Sequence, residues 1–177
     1  MKLSKNIVFE SSILLITSLV LVLLISERAE AIASWSTDKR FRDNGDNTIT
    51  DTKTDLMWMK EDSYLNSGHW ANWFGAIRFI KQMNKIEFAG KYDWRLPTIK
   101  QLTTLYEKEK TNSKVLGKGM NIHIDPIFAK EGSASLWPIE ENGSYNSFGV
   151  VFNTGKRFNS SKKSILRKAV RAVRYLN

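Results

Sequence analysis

The chain contains no cysteine, so no disulfide and no thiolate-held metal can brace it, and whatever it folds into is held by burial alone. Six tryptophans and nine phenylalanines supply the large apolar areas this requires. The constraint is sharper because the first thirty residues read as an export signal, and small exported domains commonly lean on disulfides. Lys2 and Lys5 lie near the start, an apolar run from Ile13 to Ile25 is broken only by Thr17 and Ser18, and a short polar stretch ends Ala29-Glu30-Ala31. A basic start, an apolar centre and a small-x-small site are the three parts of a secretory signal. The overlapping Ala31-Ile32-Ala33 leaves cleavage open after Ala31 or after Ala33. The alternative is a retained membrane anchor. Thirteen helical residues cover only about 20 Å of a hydrocarbon core roughly 30 Å thick, and extending the run back to Ile7 places Glu10 inside it. Residues 1–31 are therefore expected to be a signal peptide, and residues 32–177 a single domain large enough to bury its own core.

The net charge of +9 is unevenly placed. Residues 1–31 sum to zero, residues 32–141 carry +1, and the stretch from Asn142 to Asn177 holds eight cations and no acid. These are Lys156, Arg157, Lys162, Lys163, Arg167, Lys168, Arg171 and Arg174. If they converge on one face, the field they make attracts polyanions: nucleic acid, anionic lipid headgroups, or sulfated or carboxylated polysaccharide. The export signal argues against nucleic acid. The bland alternative is a solvated face that aids solubility.

Local patterns place several elements. Phe41 to Lys60 reads as a hairpin around Asp43-Asn44-Gly45-Asp46-Asn47, residues that tolerate left-handed backbone. The Asp/Asn cluster lacks the alternate oxygen ligands and twelfth-position glutamate of a calcium loop, which favours a plain turn. Trp70, Trp73, Phe74, Ile77, Ile80 and Met83 recur at spacings of three and four, which predicts a helix with Ser67 as N-cap and Gly90 past its end. Pro97 makes Tyr92-Asp93-Trp94-Arg95-Leu96-Pro97-Thr98 an extended segment that turns a corner. Thr98 and Gln101 form a capping box for a second helix from Ile99 to about Glu107, with Leu102 and Leu105 inward. Residues 109–135 read as a long loop, with strands following at Ser135–Ile139 and Gly149–Asn153 and a turn at Thr154-Gly155. The last stretch points two ways. Ile165, Leu166, Ala169, Val170, Val173 and Leu176 have helical spacing, while Val170-Arg171-Ala172-Val173-Arg174 has strand-like content; periodicity alone predicts a helix.

Several of these pieces occur together in a recognisable order. FRDNGDNTITDTKTDLMW (Phe41 to Trp58), DWRLPTIKQLTTL (Asp93 to Leu105), IDPIF (Ile124 to Phe128), Trp137, Val150-Val151-Phe152-Asn153-Thr154-Gly155 and the terminal Val170 to Arg174 run through nearly the whole of residues 32–177. In these stretches the chain resembles the Lcl C-terminal domain family, named from the Legionella collagen-like protein. The resemblance implies an α+β, C-type-lectin-like fold: two helices packed on a central antiparallel sheet, a long loop region, and terminal strands paired as neighbours. It turns residues 168–174 into the last strand. It also implies a surface-associated or exported bacterial protein, in the periplasm, on the cell surface or outside the cell, and some such proteins bind sulfated glycans through basic residues. The collagen-like repeat is absent here, and so are the cysteines common in the family. The Glu-Pro-Asn, Gln-Pro-Asp and Trp-Asn-Asp sugar motifs of calcium-dependent lectins do not occur, nor do the copper cysteines of formylglycine-generating enzymes, which share an Arg-Leu-Pro-Thr corner.

No constellation points to catalysis. His69 and His123 are the two histidines; His123 with Asp125 lacks a third and fourth metal ligand, and no cofactor or metal is expected. Glu140 and Glu141 are adjacent, so on a strand they point opposite ways and form no acid/base pair. Asp93, Arg95 and their neighbours Trp94, Leu96, Pro97 and Thr98 are expected to tie down the corner, since charged groups beside a buried tryptophan need partners. The expected function is therefore a non-enzymatic exported binding module, an adhesin-like domain that recognises anionic glycans through its C-terminal cations. Tyr145 or Trp137 is available to stack on a sugar ring, although burial suits Trp137 better. The competing expectation is a periplasmic structural or protein-interaction domain whose cations face an acidic envelope partner or lipid headgroups, with insertion into the membrane only through an uncleaved signal segment.

Overall fold

The computed structural model describes residues 34–115 and 117–176. The expected signal peptide, both of its cleavage sites and its anchoring alternative lie outside the described residues. Among the described residues no helix is long and apolar enough to cross a membrane.

The chain opens with a meander: β1 (Ser34–Trp35), β2 (Phe41–Asp43), β3 (Thr48–Asp51) and β4 (Leu56–Met59). The turn between β2 and β3 uses its acids on its own backbone. Asp43 accepts from Gly45 N–H, Asp46 accepts from Thr48 N–H, and Gly45 and Asn47 take positive φ of 80° and 64°. Strand β4 then shows how one sheet serves two cores. Leu56 and Trp58 enter one apolar cluster with Phe41, Ile49, Leu102, Phe128 and Phe152, while Met57 and Met59 face a second with Trp73, Ile80, Trp94 and Trp137. A two-residue period requires that split when both faces are covered.

The helical stripe divides in two. Asp62 caps α1 (Ser63–Ser67), and Gly68 ends it in left-handed backbone at φ 73°. Asn72, not Ser67, caps α2 (Trp73–Lys85), its side chain accepting from Gly75 N–H. Trp73, Ala76, Ile80 and Met83 face inward, whereas Phe74 stays exposed and Trp70, outside the helix, stacks on Tyr64 with ring centroids 3.6 Å apart. A short 3₁₀ turn (Phe88–Gly90) leads to the corner and α3 (Ile99–Thr104). The Thr98–Gln101 capping box is present, and Glu140 adds a carboxylate to the N–H of Ile99. Leu102 and Leu105 are fully buried, and the helix stops short of Glu107.

The remainder is loops and turns carrying short strands: β5 (Ser113–Lys114), β6 (Asn121–Ile122), β7 (Ser135–Leu136), β8 (Glu141–Asn142), β9 (Asn146–Val151), β10 (Lys156–Ser161), β11 (Lys168–Ala169) and β12 (Val173–Tyr175). One sheet runs β1-β2-β3-β4-β12, a second runs β10-β9-β7-β11 with β8 also on β9, and β5 pairs β6. The architecture is α+β, a few short helices on mainly antiparallel sheets, with β7 and β11 parallel. Two expectations change. The helical spacing after Ile165 is overridden: Ala169 and Val173 belong to one core and Val170 and Ala172 to the other, so the segment is buried from both sides and must run extended. The terminal strands are not neighbours either, because β1 and β12 occupy opposite edges of the first sheet.

Candidate binding site

The structure does not gather the eight C-terminal cations into one patch. Arg171 is buried, donating from Nη1 to the carbonyls of Met59 (2.9 Å) and Lys60, with Nη2 3.9 Å from Asp62. Burial pushes its pKa down against the pull of Asp62 and Glu61. Arg174 is buried too and donates from Nε to Asp93 at 2.7 Å. Lys162 is buried, bonded to Glu141 and to the carbonyls of Gly143 (3.0 Å) and Ser144 (3.2 Å). Lys168 is half-buried, its ammonium near the Trp137 and Phe158 rings and its pKa lowered by desolvation. The others stand apart. Lys156 and Arg157 begin β10, the latter over the Phe148 ring, Lys163 follows the far end of that strand, and Arg167 reaches toward the backbone at Gly117.

The 93–98 corner is tied inward. Trp94 is buried, exchanges two hydrogen bonds with the Asn84 side chain, and donates from Nε1 to the Phe88 carbonyl. Arg95 donates to Gln101 Oε1 and lies over the Tyr175 ring, while Leu96 and Pro97 are buried. The Arg174 hydrogen bond holds the Asp93 carboxyl below the usual range.

What the domain does present is a cleft of about 330 Å³ lined by Phe74, Ser144, Tyr145, Ser161, Lys162 and Lys163. Three separate segments build it. The Asn72 cap turns Trp73 into the core, where its Nε1 donates to the Pro138 carbonyl, so the next residue, Phe74, must face out and is 42% exposed. The turn from β8 to β9, with Gly143 at φ 70°, offers Ser144 and Tyr145, and the Tyr145 side chain is 83% exposed. The end of β10 brings Ser161 and Lys163. Lys162 is the pin: its ammonium, lying over the Trp73 ring, holds two carbonyls of the Tyr145 turn, and its N–H donates to the Tyr145 carbonyl. The result is two exposed rings, two serine hydroxyls and the Lys163 ammonium, which has no acid partner among the described residues, around a space at the small end of ligand sites.

A second cavity, about 250 Å³, is lined by His69, Trp70, Asn72, Arg78, Phe79 and Ile165 among others. Asp38, Glu107 and Asp125 converge elsewhere, with the geometry of a cation site. Lys110 fills that place, its ammonium 2.6 Å from Asp38, 2.8 Å from Glu107 and 2.6 Å from Asp125. Burial opposes the Lys110 charge, but the three carboxylates outweigh it and hold its pKa above the usual range; Asp38 is held correspondingly low by Lys110. His123 is occupied locally, with Nδ1 2.9 Å from the Lys110 carbonyl.

The family model of the Lcl C-terminal domain matches residues 47–174, most of the chain. The chain belongs to the Lcl C-terminal domain family. No curated protein matches it. The Lcl C-terminal domain family is associated with exported proteins. The motifs that carry the resemblance are the domain's framework: the Asp93–Thr98 corner, the Trp58 strand, Trp137 and the Val173 strand all lie in or against the two cores. The cleft residues lie elsewhere. Phe74 was hidden in an apolar stripe, and the exposure of Ser144 and Ser161 has no sequence signal; an isolated tyrosine beside glycine and serine in a turn was the one usable hint.

Proposed function

We infer that this Lcl C-terminal domain is a non-enzymatic exported binding module, C-type-lectin-like in architecture, and that it takes an acidic glycan in the cleft between Phe74 and Tyr145. One observation carries the reading: a tyrosine ring 83% exposed beside a second exposed aromatic, with hydroxyls and the Lys163 ammonium sharing the same cleft. Exposed rings offer a flat apolar face with a polar rim, which suits the C–H faces of a pyranose. Ser144 and Ser161 hydroxyls can donate or accept toward sugar hydroxyls, and the Lys163 ammonium suits a carboxylate or sulfate. Binding rather than catalysis is supported by the use of the titratable groups: Glu140 caps α3, Glu141 holds Lys162, and the acids around Lys110 are spent on that ammonium.

The site is thus smaller than the run of eight cations suggested and rests on Lys163 more than on Arg171, Arg174 or Lys162. Heparin-agarose at low salt is expected to retain the protein, with elution as salt screens the contact. Tyr145→Ala and Lys163→Met are each expected to elute earlier with unchanged thermal unfolding. Absence of retention, or retention in both variants unchanged from that of the native protein, would refute the reading.

A further inference from the structure

The loop from β10 to β11 is pinned at both ends. Lys162 N–H donates to Tyr145 (2.9 Å), Trp73 N–H to the Lys162 carbonyl (3.1 Å), Ser164 N–H to Ser161 (2.9 Å), and Ala71 N–H to the Lys168 carbonyl (2.8 Å). Between these anchors Ile165 and Leu166 are held in solvent, 56% and 72% exposed. Isolated exposed aliphatics are ordinary, but an adjacent pair on a pinned loop beside further exposed aromatic surface is the pattern of an interaction site.

The surroundings define the partner. Lys163 and Arg167 flank the pair in sequence, Arg78 lines the same cavity as Ile165, and no acid occurs from Asn142 onward. Glu141, just before that stretch, is engaged by Lys162. Phe74 and Tyr145 stand beside the start of the loop, sharing the cleft with Lys162 and Lys163. An aliphatic tip, aromatic shoulders and cationic flanks match the layers of a lipid surface: acyl boundary, interface and phosphate headgroups. A protein groove would accept the aliphatic pair but would have to place its own acids to meet the cations on both sides of it, whereas an anionic lipid surface supplies negative charge around any inserted tip.

The geometry points to residues 163–167 as a membrane-docking loop, in which Ile165 and Leu166 enter an anionic lipid surface while Lys163, Arg167 and Arg78 meet its headgroups. The proposal shares Phe74, Tyr145 and Lys163 with the glycan cleft, but it turns on Ile165 and Leu166, which do not line that cleft.

The absence of native cysteine makes a site-specific test possible. Leu166→Cys in the full-length chain carries one environment-sensitive dye, and Lys53→Cys, in the turn after β3, carries the same dye as a control. Vesicles of phosphatidylcholine containing phosphatidylglycerol are expected to shift the emission at 166 to the blue and leave 53 unchanged. Vesicles of phosphatidylcholine alone are expected to require at least tenfold more lipid, the equivalent of about 1.4 kcal/mol. Salt at about 1 M, where charges reach only about 3 Å, is expected to reverse the shift. A dye at 166 that stays in water on anionic vesicles, an equal shift at 53, or a shift that needs another protein and not lipid would each overturn the proposal.

Discussion

Two regions of this domain treat charge in opposite ways. Around the first sheet and the strand that completes it, charged groups are structural. Arg40 reaches Asp51 and Glu107, Lys60 reaches Asp43, Lys110 holds three carboxylates, and Arg171 and Arg174 are drawn inside to carbonyls, Asp62 and Asp93. Along the loop from Lys163 to Arg167 the cations have no acid beside them in sequence and flank the exposed side chains of Ile165 and Leu166. The comparison teaches that a run of like charges in sequence is not a surface: Arg171 and Lys163 lie eight residues apart, yet one organises the core and the other faces solvent.

The largest consequence concerns Arg171. Its guanidinium bonds two main-chain carbonyls and balances Asp62, which itself caps α1 and accepts from Ser133 N–H. Arg171→Ala is expected to cost about 3–5 kcal/mol of folding stability, since it leaves a buried carboxylate uncompensated. Urea unfolding measures this, and a loss no larger than that of a surface substitution would erase the distinction between the two regions.

The adjacent lysines sharpen the comparison within one dipeptide. Lys162→Met removes the ion pair to half-exposed Glu141 and two hydrogen bonds to carbonyls of the Tyr145 turn, with an expected cost of about 1–2 kcal/mol. Lys163→Met is expected to stay within about 0.5 kcal/mol. Equal unfolding midpoints for the two variants would contradict the assignment of one lysine to structure and the other to binding.

The smallest effect is a pH dependence. Folding lowers the Asp93 pKa through its hydrogen bond from Arg174, so the unfolded chain binds more protons than the folded one as the solution is acidified. The stability this pair adds is complete above the ordinary aspartate value of 3.8 and is lost as the pH falls through the depressed folded value. Arg174→Met is expected to flatten that part of the acid limb, as measured by thermal unfolding between neutral and acid pH. An unaltered slope would show that Asp93 is not held by Arg174.

What the sequence made legible was local. The Asp43–Asn47 turn, the Thr98–Gln101 capping box and the inward Leu102 and Leu105 follow from side chains bonding or packing within a few residues, and all are present. Gly68, which ends α1, falls inside the segment that the spacing of Trp70 and Trp73 assigns to a single helix. Residues 169–173 were misread by periodicity because a strand covered on both faces is apolar at nearly every position, so its pattern also satisfies a helix. The fate of the cations was unreadable for a different reason: Asp62 lies 109 positions before Arg171 and Asp93 lies 81 before Arg174, and only the folded topology brings them together. The cleft has the same character, being assembled from three segments of which only Tyr145 and the two lysines stood out beforehand.

The central claim is that the cleft of Phe74, Tyr145 and Lys163 is where ligand binds. Titrating a sulfated disaccharide into isotopically labelled protein and following backbone amide resonances tests it most directly. The account predicts that the largest shifts cluster at Phe74, Ser144, Tyr145, Ser161 and Lys163. Shifts centred instead on Lys156 and Arg157 at the opposite end of β10, or none at saturating sugar, would contradict it.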